Sequence, residues 1–225
     1  MTRLFGQNCQ RVGHGGASAL VAANTLASFD AAISIGIDMV EFDVRSCRGE
    51  LVLAHSPMVA RYRECVRLSE ALAHLATPRF DEVSINVDVK HVGCEERLLA
   101  GLRHAGLLDR ALVSSQVPAV LDRVRALEPG VQVGISIGGP IARLSRRWLD
   151  WRAHVLDGLA SNRWDALMAH HRLVDARLLQ DVATRNGRLF AWTVNEREAI
   201  RSLQRLGVHG ITTADPRLFA ALVGA

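Results

Sequence analysis

The sequence predicts an α/β fold, a compact (β/α)8 TIM barrel in which residues 1–225 form a single domain. Short apolar and β-branched segments alternate with segments of helical periodicity, which is typical of a parallel sheet with crossover helices. No linker rich in Pro, Gly or Ser divides the 225 residues. Because such barrels typically have ~250 residues and ~200 is near the lower limit, we expect few insertions.

The N-terminal elements are predicted from local patterns. A first strand over residues 10–13 precedes a helix that Asn24 caps and Gly36 ends, since Asn favours the N-cap and Gly the position after the last turn. A second strand covers residues 39–44. Only six residues separate it from another apolar segment, residues 51–55, which is too few for a helical crossover. We therefore expect a hairpin return or an extension of the preceding loop.

The rest of the chain continues the alternation of strands and helices. The predicted strands cover residues 84–90, 112–115, 132–137, 166–169, 189–194 and 210–213, and the predicted helices cover residues 67–76, 95–105, 118–127, 176–186 and 196–206. These assignments give one strand more than a barrel needs. The alternative is a doubly wound sheet, which predicts GxGxxG after the first strand. Residues 13–18, Gly-His-Gly-Gly-Ala-Ser, do not match that motif.

Composition excludes several classes of function. Hydrophobic residues make up 49% of the chain, so a large core is expected and disorder is not. Aromatic residues are only 5% and the basic residues are scattered, so we expect no nucleic-acid partner. The chain has no signal-peptide pattern and no apolar segment of the ~20 residues that a membrane helix needs. We expect a cytoplasmic protein without stable membrane insertion; the sequence does not indicate its oligomeric state.

Carboxylates lie near the ends of two predicted strands. Glu41 and Asp43 are two positions apart, so in a strand they point to the same face. Two carboxylates inside a barrel repel each other and resist desolvation, and a divalent cation relieves both effects. Asp88 adds a third carboxylate on another strand. Because all three offer oxygen ligands, the sequence predicts a Mg²⁺ or Ca²⁺ site.

Basic residues accompany these carboxylates. His14 ends the first strand and His55 ends the apolar segment 51–55, so the two are candidates for general base and general acid. Lys90 lies on the same face as Asp88 and is able to hold an anionic oxygen. Together with a metal, these residues predict displacement at phosphorus. The net charge of +4 suits an anionic substrate without requiring one.

Several motifs together resemble the glycerophosphodiester phosphodiesterase family over most of the chain. They are residues 13–18 (Gly-His-Gly-Gly-Ala-Ser), 24–29 (Asn-Thr-Leu-Ala-Ser-Phe), 36–44 (Gly-Ile-Asp-Met-Val-Glu-Phe-Asp-Val), 54–55 (Ala-His), 85–90 (Ile-Asn-Val-Asp-Val-Lys), 192–195 (Trp-Thr-Val-Asn) and 210–213 (Gly-Ile-Thr-Thr). The resemblance implies a TIM barrel that uses a divalent metal to hydrolyse glycerophosphodiesters to glycerol phosphate and an alcohol.

The resemblance also implies roles for individual residues. By matching position they are the metal ligands Glu41, Asp43 and Asp88, the acid/base pair His14 and His55, the phosphate-contacting Lys90 and the pocket-lining Trp192. Asp88 stands where the family usually has Glu. The implied substrate is a small-molecule or lipid-derived phosphodiester.

The sequence departs from the family pattern at several positions. Gly15 replaces the usual Arg, Ala22 and Ala23 replace Pro-Glu, and residues 56–87 are shorter than the usual insertion. These departures resemble sphingomyelinase D-like phospholipases, which release a head group through a cyclic phosphate. A catalytically weakened barrel that acts as a binding protein is another alternative.

The missing family Arg and the short insertion each lead to an expectation. Arg61 or Arg63, in the loop after His55, is expected to supply the phosphate contact that Gly15 lacks. The shorter segment between His55 and Asp88 predicts a more open mouth and therefore a larger substrate than a small glycerol diester.

Overall fold

A computed structural model describes residues 9–138 and 146–220, and its strands form a closed barrel. The strands are β1 (Gln10–His14), β2 (Met39–Cys47), β3 (Glu50–Leu53), β4 (Ser84–Val89), β5 (Ala111–Ser115), β6 (Gln132–Ile137), β7 (Ala166–His170), β8 (Arg188–Trp192) and β9 (Gly210–Thr213). Parallel pairing runs β1-β9-β8-β7-β6-β5-β4-β2, and β1 pairs with β2 to close the ring. The eight parallel strands confirm the predicted TIM barrel.

Helices follow the barrel strands as the alternation predicted. They are α1 (Leu26–Ile35), α2 (Pro57–Tyr62), α3 (Leu68–Leu75), α4 (Glu95–His104), α5 (Pro118–Leu127), α6 (Arg146–Ala160), α7 (Ala176–Ala183), α8 (Arg197–Leu206) and α9 (Arg217–Ala220). The sequence-based assignment missed α2 and α9 and gave no bounds for α6. For α6 a signal was present, because the buried Val155 and Leu159 recur at helical spacing. Within the described ranges, no helix has the length and apolar character to cross a bilayer.

The ninth strand is the predicted hairpin return. β3 pairs antiparallel with β2, and the turn between them uses Arg48 and Gly49 at φ +50° and +85°. β3 ends at Leu53, so the predicted strand over residues 51–55 runs too far and His55 lies beyond the sheet. Extended pairing ends there because Ser56 caps α2 through a hydrogen bond from the Val59 N–H.

The start of α1 corrects the predicted cap. Thr25, rather than Asn24, is the N-cap, and its hydroxyl accepts a hydrogen bond from the Ser28 N–H. Asn24 is buried in the left-handed conformation at φ +60°, with its amide turned toward β2. Gly36 ends the helix as predicted, also in the left-handed region at φ +93°.

Two apolar clusters determine where the site lies. The larger one fills the space between the sheet and the surrounding helices. The smaller one contains Val12, Met39, Leu112, Ala166, Met168 and Phe190. Because the interior of a TIM barrel is packed with side chains rather than open, this smaller cluster forms a floor. The polar side chains described next lie above it, toward the carboxyl ends of the strands.

Candidate active site

Strand register brings the predicted carboxylates together. On β1 and β2, His14 is paired with Glu41, and on β2 and β4, Asp43 is paired with Asp88. Oxygen atoms of the three carboxylates all lie within 4.8 Å of one another. Since Ca²⁺–oxygen distances are about 2.3–2.6 Å and Mg²⁺–oxygen distances about 2.0–2.1 Å, oxygens at this separation are able to surround one ion.

Lys90 lies inside the carboxylate cluster. Its Nζ is 2.5 Å from Asp43 Oδ1 and 2.6 Å from Asp88 Oδ2, and only 16% of the side chain is exposed. Burial alone would lower the pKa of Lys90, but attraction to Asp88, Asp43 and Glu41 raises it above its ordinary value. Burial likewise opposes ionisation of Asp43, yet the Lys90 ammonium holds the pKa of Asp43 below its usual range. The ammonium and Asp43 therefore form a charged pair.

The other two carboxylates are not fully compensated. Burial, with repulsion from Asp43 adding to it, raises the pKa of Glu41, and burial raises the pKa of Asp88. Glu41 accepts a hydrogen bond of 2.9 Å from the Gly15 N–H, while Asp88 Oδ1 is buried and has no hydrogen-bond partner among the described residues. The cluster thus has three carboxylates and one ammonium, and one buried carboxylate oxygen has no partner among the described residues. This arrangement fits a further cation.

The two histidines differ in their surroundings. His14 Nε2 lies 3.9 Å from Glu41 Oε2, and its Nδ1 lies 3.3 Å from the Thr193 hydroxyl. Burial lowers the pKa of His14, so the ring is neutral near pH 7. His55 is exposed, and Arg45 Nε donates to its backbone carbonyl at 3.0 Å. Both rings border the same cavity, as the sequence predicted for an acid/base pair.

Asn24 is a site residue that the sequence analysis assigned to a helix cap. Its Nδ2 donates to Asp43 Oδ2 at 2.9 Å, and its Oδ1 accepts from the Asp43 N–H at 3.0 Å. The amide therefore fixes both the backbone and the carboxylate of Asp43. The Asn-Thr motif at residues 24–25 was the available signal in the sequence. N-cap preference alone explained that motif, so it did not point to the contact between Asn24 and Asp43.

The cavity above the cluster encloses about 530 Å³ of empty space, part of it open to solvent. Its charged and titratable lining comes from His14, Glu41, His55, Asp88 and Lys90. The neutral lining residues are Asn86, Ser114, Gln116, Ser136, Met168, Trp192, Thr193 and Thr212. Apart from Trp192, these neutral residues were not predicted as site residues. Asn86 carried a signal, because it lies two positions before Asp88 and so shares its face.

Trp192 is held at the cavity wall by two contacts. Its Nε1 donates to the Met168 carbonyl at 2.9 Å. Its ring lies against Gly138, where an added Cβ would be 2.2 Å from Cη2 of the indole. Glycine at position 138 is therefore required for this indole position, and the substrate-binding role of Trp192 stays a prediction.

Arg61 and Arg63 lie on and just after α2 and are not among the described residues that line the cavity. The Arg61 guanidinium is 5.4 Å from the centre of the Tyr62 ring. At position 15 the glycine has φ +55°, and an added Cβ would be 3.0 Å from the Ala23 Cβ. A side chain at position 15 would therefore begin against Ala23, in a backbone conformation that favours glycine.

Fold and site together define the class of protein: a TIM-barrel enzyme with a carboxylate cluster, two histidines and a lysine at the carboxyl ends of adjacent strands. The chain belongs to the glycerophosphoryl diester phosphodiesterase family, whose family model matches residues 14–75 and 67–218. Membership makes it a phosphoric diester hydrolase.

Individual relatives agree with this assignment. A glycerophosphodiester phosphodiesterase from Caldanaerobacter subterraneus is 24% identical over 245 residues, covering 94% of this chain and 96% of the relative. The crystal structure of a glycerophosphodiester phosphodiesterase from Parabacteroides distasonis has a TM-score of 0.77 at 18% identity, covering 96% and 97% of the two chains. An Oleispira antarctica phosphodiesterase in complex with the product sn-glycerol-3-phosphate has a TM-score of 0.74 at 20% identity, covering 95% and 96%.

Proposed function

We propose that this enzyme hydrolyses glycerophosphodiesters to glycerol phosphate and an alcohol, with a divalent metal, Mg²⁺ or Ca²⁺, and two-histidine acid/base catalysis. The observation that carries the proposal is the single cavity bordered by His14, His55, Glu41, Asp88 and Lys90. Relatives named glycerophosphodiester phosphodiesterases, and the relative solved with sn-glycerol-3-phosphate, support the choice of substrate.

Each charged group has a distinct part in this mechanism. Glu41, Asp43 and Asp88 would hold the metal, which when bound offsets the charge that develops on the phosphate oxygens. Lys90 supplies a second positive charge beside the reacting phosphate. Because this ammonium is already fixed between Asp43 and Asp88, it needs little reorganisation during the reaction.

The two histidines would move the protons. In the tautomer whose Nδ1–H donates to the Thr193 hydroxyl, neutral His14 would have Nε2 available to accept a proton. The other histidine would then protonate the departing alkoxide. The attacking oxygen belongs either to water, giving a monoester, or to a hydroxyl of the substrate itself, giving the cyclic phosphate of the sphingomyelinase D-like alternative.

Product analysis tests the proposal. We expect purified protein to convert glycerophosphocholine to glycerol phosphate and choline with Mg²⁺ or Ca²⁺, and to stop when a chelator is added. Phosphorus NMR distinguishes a monoester from a cyclic phosphate, because the two resonate at different shifts. Turnover that persists after complete chelation would contradict the metal-dependent mechanism, and a lasting cyclic product would favour the alternative.

The predicted phosphate contact from Arg61 or Arg63 has its own test. The double variant Arg61→Ala/Arg63→Ala is expected to raise KM for a water-soluble diester by roughly tenfold, the order of one lost charge-assisted contact. The matched control is Arg201→Ala/Arg205→Ala on α8, which removes the same charge away from the cavity. Steady-state kinetics equal to wild type in the Arg61/Arg63 variant would refute this contact.

A further inference from the structure

The exposed apolar residues are concentrated at one end of the barrel. In the described ranges, the large hydrophobic side chains that are exposed are Leu20 (38%), Met58 (67%), Val59 (40%), Tyr62 (65%) and Val92 (56%). All five follow β1, the β2–β3 hairpin or β4 in the chain; these neighbouring strands carry His14 and the carboxylates, and His55 lies two residues after β3. Leu20 and Val92 follow parallel strands, which end at the same face of a barrel, and α2 is hydrogen-bonded to Cys47 and Arg48 at the end of β2. These residues therefore lie beside the catalytic mouth on its charged side.

Helix α2 lies at the centre of this surface and is held to the β2–β3 hairpin by hydrogen bonds. It starts two residues after His55, and none of its residues is buried. Cys47 Sγ donates to the Ala60 carbonyl at 3.1 Å, and Arg48 donates to the Arg61 carbonyl at 3.3 Å. Met58 and Tyr62 are four positions apart and so lie on the same side of the helix. A fixed helix thus presents two large apolar side chains to solvent beside the site.

Positive charge surrounds these apolar side chains. Residues 45–67 contain five arginines (Arg45, Arg48, Arg61, Arg63 and Arg67) against two acids (Glu50 and Glu64), a net charge of +3. None of these arginines forms an ion pair with a carboxylate within the described residues. Elsewhere in the barrel such pairs occur, for example Arg11 with Asp38 and Arg163 with Asp122. The segment therefore offers uncompensated cations next to exposed apolar groups.

We propose that this docking rim, residues 15–25, 45–67 and 90–94, binds the surface of an anionic phospholipid bilayer and brings the catalytic mouth to a membrane-resident phosphodiester. Apolar side chains that enter the interface, together with cations that meet anionic head groups, are the combination that peripheral membrane binding uses. A second copy of this chain is a poorer occupant, because a two-fold contact would bring two faces of like charge together. The inference rests on the proposed function, since it names the setting in which that site meets its substrate.

Vesicle flotation tests the rim with the whole chain. Wild-type protein is expected to float with vesicles of phosphatidylcholine and phosphatidylglycerol, more weakly at high salt, and not with phosphatidylcholine alone. Met58→Ser/Tyr62→Ser is expected to lower the bound fraction on the order of tenfold while turnover of soluble glycerophosphocholine stays at the wild-type level. Arg61→Gln/Arg63→Gln should lower binding on the order of tenfold as well, whereas Arg201→Gln/Arg205→Gln, with the same charge change on α8, should bind as wild type.

The results separate this inference from the proposed function. Wild-type protein that stays in solution with anionic vesicles, yet hydrolyses soluble diester, would overturn the rim and leave the function standing. Light scattering that shows a dimer dissociated by Met58→Ser/Tyr62→Ser would assign the surface to a second copy and also overturn it. Anion-dependent flotation that both rim variants lose and the α8 variant keeps would support it.

Discussion

Replacing His14 with alanine is expected to lower kcat for glycerophosphocholine by roughly 10²–10⁴-fold, the usual contribution of a general acid or base. The same change at His55 is expected to have an effect of similar order, because both rings border the reaction cavity. Circular dichroism and metal titration of each variant provide the control for folding. A His14→Ala enzyme that keeps wild-type kcat would remove this residue from the mechanism.

A substrate with an activated leaving group separates the two histidines. p-Nitrophenolate leaves without being protonated, so a diester that releases it has no need of the general acid. The variant that lacks the acid should recover most of its rate on that diester, and the variant that lacks the base should not. Because burial favours the neutral form of His14, we expect His14→Ala to remain slow and His55→Ala to recover; equal recovery by both would refute this assignment.

Glu41→Gln is expected to weaken binding of Mg²⁺ or Ca²⁺ by roughly 100-fold or more and to abolish most turnover. The reason is that loss of even a residue that hydrogen-bonds to a metal ligand typically lowers metal affinity or activity about 10–100-fold. Without metal, the variant should be more stable than wild type by about 1 kcal/mol, a gain typical of relieving strain at a functional site. The physical reason is that Glu41 is buried next to Asp43, whereas a neutral amide still accepts the Gly15 N–H. Calorimetric metal titration and thermal melting with chelator measure the two effects.

Glu95→Gln is a matched control for this change. Glu95 is as buried as Glu41, at 5% exposure, and its carboxylate likewise accepts a backbone hydrogen bond, here from the Gly93 N–H at 2.7 Å. It lies on α4, outside the carboxylate cluster, so its substitution should leave metal affinity and turnover unchanged. Unchanged metal affinity in Glu41→Gln would exclude Glu41 as a ligand.

The barrel was predictable from the sequence because its signals are local. Each buried parallel strand is a short apolar segment and each helix has its own period, so the elements follow without knowledge of their neighbours. The closeness of Val44 to Leu51 excluded a helical crossover and left a hairpin or a loop extension, of which the structure has the hairpin. The candidate site residues on β1, β2 and β4 stand out in the same way, because polar residues at strand ends interrupt an apolar pattern.

Long-range contacts were the part that local patterns could not supply. Asn24 and Thr25 are both good N-caps, and only the distant Asp43 explains why Thr25 is the cap and Asn24 is not. Arg61 and Arg63 are close to His55 in sequence, and the Ser56 cap starts a helix that places them outside the described cavity lining, so their contact with phosphate stays a prediction. The neutral wall residues belong to six different strands or their ends, and no sequence window contains them together.

The charged and the neutral residues that line the cavity come from different parts of the chain. Among the described residues that border the cavity, the charged or titratable side chains all lie between residues 14 and 90, and those from Ser114 to Thr212 are neutral. The first two-fifths of the chain thus holds the groups proposed for bond breaking, and the described lining residues from Ser114 onward shape the space that an alcohol would enter. Substitutions among the neutral lining residues are able to change which diester binds while the reacting groups stay the same. An enzyme built this way is able to diversify its substrates during evolution without rebuilding its chemistry.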